Sequence, residues 1–201
     1  LRFNETVKYI KRVIGGREEF DIGRPITATA DFFSNGFKSK RPWKFDRKIA
    51  GGGAAFDLGV HVIDTLRFLM DSDINKTFCI HQHDKIDKNT DGLDLEASFL
   101  LEFDNGVIGR ATSTFEGPRR HFLQVVGTVG FIRAFDWQKN NIDVRVEYGS
   151  DFSSETITIR NKNMYTEEID NFANAIIKDT EVSVPGIIGL KNQQIIDIVN
   201  E

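Results

Sequence analysis

The chain has 201 residues, with 26 Lys+Arg against 30 Asp+Glu and a formal charge of −4. Hydrophobic residues make up 40% and charged residues 28%, which suits a packed globular core, and the scattered, slightly acidic charge excludes the basic face that nucleic acid requires. A lone cysteine, Cys79, excludes an intramolecular disulfide and a cysteine-based zinc cluster, and it points to a reducing, cytoplasmic setting.

Residues 5–14 are expected to form the first helix: Asn4 can cap it, Val7, Ile10 and Ile14 share one stripe, and Gly15-Gly16 ends it. A β-branched and aromatic run, 26–33, reads as a strand. Residues 37–50 are basic and irregular, with Lys38, Lys40, Arg41, Lys44, Arg47 and Lys48 around Trp43 and Phe45. Such a run could draw an anionic ligand such as a phosphate, but usually it is only a solvated loop. Gly51-Gly52-Gly53 then opens a strongly apolar helix reaching about Met70. It is interrupted by Asp57, His61, Asp64 and Arg67, so it is no membrane span.

After Asp73 the texture turns to strands. Residues 95–103 alternate with period two, Asp104-Asn105-Gly106 supplies a hairpin turn, and 107–115 returns. Further strands are expected over 122–127, 130–135, 142–148 and 155–160, followed by helices over 167–177 and 190–201. The pattern predicts an α+β domain with one largely antiparallel sheet and helices on one face, leaving the other face open to a partner or a second copy. The start at Leu1, without an initiator Met or a signal-peptide pattern, suggests either a processed chain or a piece of a longer protein.

The segment 51–64 carries the chemistry. Placed on an α-helix, His61 lies about 40° and Asp64 about 20° from Asp57, so these three form one narrow polar stripe on an otherwise apolar helix. If the stripe faces a polar cleft, His61 should sit near its ordinary pKa, or above it through Asp57 and Asp64, which suits proton transfer. A second possibility stands beside this: Asp57 caps the helix and His61 hydrogen-bonds inside the core. The glycine run fails as a dinucleotide fingerprint. Its third glycine would have to stand at position 56, which is Phe56, and no clear βαβ unit surrounds it.

Gly-Gly-Gly-Ala-Ala-Phe-Asp-Leu-Gly-Val-His-Val-Ile-Asp, residues 51–64, resembles the Asp-x-x-x-His segment of the Gfo/Idh/MocA oxidoreductases, the glucose-fructose oxidoreductase and inositol dehydrogenase family. Leu1-Arg2-Phe3-Asn4 resembles the Arg-Phe-Asn element that follows the family's nucleotide domain, and Trp43-Lys44 its Trp-Arg pair, with Lys in place of Arg. Phe103-Asp104-Asn105-Gly106-Val107 and Gln124-Val125-Val126-Gly127-Thr128-Val129-Gly130 resemble its sheet hairpin and Val-Gly-Thr-x-Gly turn. Residues 168–176 are similar to the start of its late helical segment.

The resemblance spans essentially all 201 residues but only the family's C-terminal domain. It implies a single substrate-binding and oligomerisation domain, 1–201, from a longer two-domain NAD(P)-dependent enzyme whose N-terminal Rossmann domain is absent. It further implies that His61 is the base that takes the hydroxyl proton of a sugar or polyol, and that Asp57 orients it or holds a neighbouring hydroxyl. The family's catalytic Lys and its glycine loop are missing here, so NAD or NADP would be bound mainly by the absent domain. Alone, this chain would have no dehydrogenase activity.

By the same resemblance Arg119, Lys44 and Arg2 are candidate substrate contacts, each with a plain surface role as the alternative. His81 and His83 share one strand face but lack a third ligand, so no metal is expected. Cys79 reads as a packing residue. Two functions stay open: the substrate domain of an NAD(P)-dependent sugar or polyol dehydrogenase, or a non-catalytic sugar-binding or dimerisation module that kept the fold. The resemblance implies a homodimer or homotetramer through the open sheet face.

Overall fold

The computed structural model describes residues 1–36, 41–83 and 92–198. Lys38 and Lys40 of the basic run and the last three residues of the final predicted helix lie outside this set. The chain is α+β, with helices against one face of an eight-stranded sheet of order β2-β3-β4-β1-β5-β6-β7-β8. The strands are β1 Pro25–Phe33, β2 Ile74–His83, β3 Asp94–Phe103, β4 Ile108–Thr114, β5 Arg120–Gly127, β6 Phe131–Phe135, β7 Asp143–Gly149 and β8 Ser154–Arg160. All neighbours pair antiparallel except β1 and β4. The early strand thus slots beside the β3–β4 hairpin rather than standing at the sheet edge.

The helices are α1 Glu5–Ile14, α2 Arg47–Ala50, α3 Val60–Met70, α4 Met164–Lys178 and α5 Gly186–Asp197. Asn4 caps α1 by accepting from Val7 N at 3.2 Å, as its position suggests. Val62, Ile63, Leu66 and Leu69 of α3 are buried with Ala97, Phe99, Leu101 and Val125 of the sheet. The alternation of β3 is met: Glu96, Ser98, Leu100 and Glu102 point away from the core. On the open face Phe78, Ile80 and Leu100 are 62%, 65% and 49% exposed. Tyr165, Ile169, Phe172 and Ile176 form a second exposed apolar stripe, along α4.

The start of the central helix departs from plain α geometry. Residues Ala55–Gly59 form a π-helical turn, in which Val60 N donates to Ala55 O. A π turn is an inserted residue within a helix and recurs at functional sites. Ahead of it, the buried Asp94 carboxylate accepts from Gly53 N at 2.9 Å and Ala55 N at 2.7 Å. The helix cap therefore comes from β3, not from Asp57. Close packing explains the glycines: a Cβ on Gly53 would lie 1.9 Å from Asp94 O, and one on Gly52 would lie 2.2 Å from the Phe56 ring.

The structure separates the side chains of the consecutive Arg119, Arg120 and His121. Arg120 is exposed over the Phe135 ring at 5.9 Å, whereas His121 is fully buried, edge-on to Phe32 at 4.5 Å. Both ring nitrogens of His121 lack a hydrogen-bond partner among the described residues. Burial, reinforced by Arg119, pushes its pKa down to about 4.

Two outcomes follow from these packing facts. Gly53→Ala should destabilise the chain by about 2 kcal/mol or more, because the obstructing atom is backbone. Gly186→Ala, with open space around it, should change little; thermal melts of the two variants check this. His121 binds fewer protons folded than unfolded between its folded value near 4 and its ordinary value near 6.5, so stability should fall as pH drops through that window. Denaturant titrations at successive pH values should show about 2 kcal/mol of this loss relieved in His121→Leu. An unchanged acid limb in the variant would contradict the assignment.

Candidate active site

A cavity of about 440 Å³ opens where α3, the N-terminal segment, α4 and the β6–β7 loop converge, and His61 and Asp64 of α3 line it with Arg2 and Arg119. Asp64 is held from two sides. Arg2 grips both carboxylate oxygens, with Nε at 2.9 and 3.2 Å and Nη2 at 2.8 Å, and Asn192 Nδ2 donates at 2.7 Å. Burial works to raise the Asp64 pKa, but the hydrogen bonds from Arg2 and Asn192 outweigh it and hold the carboxyl below its usual range. Arg2 is thus a cavity residue whose guanidinium is already paired.

His61 presents exposed ring surface at the cavity, with no hydrogen bond to either ring nitrogen among the described residues. Its ring lies 6.0 Å from that of Phe32, another lining residue. Its pKa is lowered, opposite to the sequence expectation. Crowding by surrounding protein is the largest cause; Asp57 and Asp64 pull upward and Lys44 downward. The exposed side of the ring and the crowding are compatible, because one edge opens on the cavity while the remainder abuts packed side chains. The alternative of a core histidine fixed by hydrogen bonds is not what the structure shows.

Asp57 lies outside the cavity lining, on the widened π turn that shifts it from the α-helical phase of His61 and Asp64. It accepts from Lys44 Nζ at 2.6 and 2.5 Å, and both side chains are largely shielded, at 30% and 18% exposure. Asp57 and Lys44 were read separately in the sequence; the fold makes them one ion pair a turn before His61. Arg119 reaches the cavity wall, while Lys44 and the other described cations of the basic segment, Arg41, Arg47 and Lys48, are not among its lining residues.

No cluster of three or more His, Cys, Asp or Glu side chains able to hold a metal occurs among the described residues. His81 and His83 stack edge-to-face at 4.5 Å on the exposed strand β2, and His83 Nδ1 lies 2.7 Å from Gly92 O. Gly53 N and Ala55 N, the amides that could have cradled a phosphate, are taken by Asp94, and the glycine run is filled by Phe56 and Asp94. Cys79 is half-buried, and burial pushes its thiol up to about 11, so it is an inert packing group at neutral pH. Among the described residues no helix is long and apolar enough to cross a membrane.

Three residues escaped sequence reading. Asp94 stands just ahead of the period-two run, where no local pattern marks it as a helix cap; Asn192 lies on a weakly patterned late helix. Gln138 lines the cavity from the irregular β6–β7 loop, where no periodicity exists to place it.

The chain is similar to several known proteins. Over 166 residues the chain is 26% identical to a D-xylose 1-dehydrogenase [NADP(+)] from Haloarcula marismortui, covering 79% of this chain and 44% of that protein. It is 23% identical over 160 residues to D-xylose 1-dehydrogenase (NADP(+)) 2 from Haloferax volcanii, covering 78% and 47% respectively. The chain thus spans under half the length of these relatives. The aldose-aldose oxidoreductase of Caulobacter crescentus, solved with glycerol, superposes with a TM-score of 0.85 at 18% identity, over 99% of this chain and 58% of that one. A 3-ketoreductase from Actinomadura kijaniata superposes with a TM-score of 0.80 at 17% identity, over 98% and 58%. The GFO/IDH/MocA C-terminal domain model matches residues 10–133, and the chain belongs to that oxidoreductase domain family.

Proposed function

We propose that residues 1–201 are the substrate-binding and catalytic C-terminal portion of an NAD(P)-dependent dehydrogenase acting on a sugar or polyol, with His61 as the base. The observation that carries this is an imidazole without a hydrogen-bond partner among the described residues, pushed toward its neutral form, at the wall of a cavity whose neighbouring carboxylate is already paired. A neutral imidazole can accept the hydroxyl proton of a carbinol as its C–H electron pair departs. The two relatives named as NADP-dependent xylose dehydrogenases support a sugar substrate and this cofactor class.

The nicotinamide group supplies the hydride acceptor in such a reaction, and in this proposal it is carried by a separate dinucleotide-binding portion of a longer, two-domain protein. Everything else falls to this chain. Asp64, fixed by Arg2 and Asn192, holds negative charge beside the ring and favours the imidazolium once the proton arrives. Asp57, paired with Lys44, anchors the turn ahead of His61 and pulls in the same direction, more strongly than Asp64. Lys44 acts through Asp57, while Arg119 is placed to meet substrate oxygen. The exposed stripe of α4 borders the cavity at Tyr165 and offers apolar surface for the cofactor-carrying portion to cover. The half-buried thiol of Cys79 suits a cytoplasmic location.

A non-redox sugar-binding or dimerisation module is the second reading, compatible with Gly53 N and Ala55 N being taken by Asp94. The two separate in the full-length protein. His61→Ala should lower kcat by about 10²–10⁴ with a nearly unchanged melting temperature and cofactor affinity. Wild-type activity should rise with pH through a midpoint below the ordinary histidine value of about 6.5, reaching its plateau by neutrality. Normal turnover in a folded His61→Ala protein would move the base elsewhere. Micromolar NADP binding by the 201-residue chain alone would contradict the placement of the cofactor.

The open sheet face is proposed to pair copies of the chain. Phe78 on β2 sits directly opposite Leu100 on β3, with Ile80 beside them, in an exposed apolar patch. Phe78→Asp should shift the mass measured by light scattering from oligomer toward monomer. A monomeric wild type at high micromolar concentration would overturn the pairing.

A further inference from the structure

The wall of the cavity contributed by the β6–β7 loop is built differently from the Asp64 wall. Gln138 lines the cavity at 6% exposure, yet its Nε2 has no hydrogen-bond partner among the described residues. Buried amide nitrogens are nearly always paired, so an orphan beside a cavity marks a donor reserved for something that enters it.

The backbone on both sides of Gln138 is fixed. Trp137 O accepts from Asn4 Nδ2 at 2.9 Å and from Asn161 Nδ2 at 2.7 Å, and Lys139 O accepts from the same Asn161 nitrogen at 3.0 Å. Asn161 is itself held by Thr6, whose backbone N and Oγ1 donate to its Oδ1 at 3.1 and 2.9 Å. Both asparagines are buried, at 1% and 0% exposure. One residue earlier, Asp136 N donates to His121 O at 2.8 Å. A side chain on so constrained a segment has few alternatives, which is the preorganisation a recognition group needs.

The layer behind is also short of partners. His121, edge-on to the lining residue Phe32, has both ring nitrogens unpaired among the described residues. On the other wall Asp64 already holds three donors, from Arg2 and Asn192. The donor left for a ligand on the β6–β7 side is a neutral primary amide, which fits a hydroxyl oxygen.

We infer that Gln138 reads a second hydroxyl of the substrate, donating from Nε2 while the reacting hydroxyl meets His61. This rests on the sugar or polyol reading above and narrows it to ligands with at least two hydroxyls. A simple alcohol would leave the buried amide unpaired and bind no better than its apolar surface allows.

The test is an NMR titration of the 201-residue chain, labelled at histidine and glutamine side chains, with D-xylose and with cyclopentanol as a single-hydroxyl control. D-xylose should move the His61 ring and Gln138 amide signals together. Gln138→Leu should weaken D-xylose about tenfold and leave cyclopentanol unchanged. Gln138→Glu, which keeps an acceptor but loses the donor, should behave likewise and serves if the Leu variant does not fold. If D-xylose moves His61 but both variants bind it as the wild type does, the role of Gln138 is refuted and the sugar reading stands. If D-xylose leaves the His61 signals unmoved in the wild type, the sugar reading fails and the inference with it.

Discussion

Burying a helix that carries Asp64 and Arg67 obliges the rest of the molecule to supply their partners, because an unpaired charge in the interior costs several kcal/mol. The partners come from distant segments. Arg67 Nη1 donates to Asn192 Oδ1 at 2.5 Å and its Nη2 to Asp73 at 2.6 Å, while Lys191 also reaches Asp73. Asn192 passes its own Nδ2 to Asp64, which Arg2 closes from the other side. One polar chain therefore ties the N-terminal segment, α3, the start of β2 and α5 together. Within the polar stripe of this helix, His61 is the group left without a hydrogen bond among the described residues. Its availability follows from how fully its neighbours are paired.

The entry to the same helix is a second obligation. The turn at Gly53 leaves amides that need an acceptor, and Asp94 provides it from β3 at a separation of 41 residues. That contact admits only glycine at position 53 and directs the backbone into the π turn. The π turn sets Asp57 toward Lys44 instead of along the stripe. The π turn thus separates two acids that look equivalent on a helical wheel: one joins the cavity, the other anchors its approach.

What was legible in the sequence was local. The period of β3, the Asn-Gly turn, the Asn4 cap and the apolar girth of the central helix each arise from residues within a few positions of one another, and the structure matches them. His61 and Asp64 could be placed together because an α-helix brings i and i+3 onto one face. Other features depend on contacts between residues far apart in the chain. The parallel β1–β4 pair, the Asp94 cap and the Asn161 clamp on the Gln138 loop each join segments that no window of sequence shows side by side. Asp94 also stands just ahead of the alternating run 95–103, where no local pattern marks it as a helix cap. The His61 pKa was misjudged for the same reason. Its two carboxylate neighbours are visible in sequence, but the cations that neutralise them are not.

The sign of that shift is set by burial of the ring, which the paired carboxylates nearby do not overcome. A carboxylate raises a nearby imidazole through its charge, and here each one carries an adjacent cation, Lys44 on Asp57 and Arg2 on Asp64. Seen from His61, each acid is then closer to a dipole than to a free charge, and a dipole's field falls off faster with distance. The cost of crowding the charged ring has no such compensation, so it decides the outcome and keeps the imidazole in its neutral form. A base must be unprotonated before it acts and stabilised after. A site with paired acids meets both needs when the proton arrives by transfer from a bound hydroxyl, because the imidazolium then forms beside Asp64, already oriented by Arg2 and Asn192, with no further reorganisation. The same pairs that hold the helix in place thereby leave burial to set the protonation state of the residue it presents.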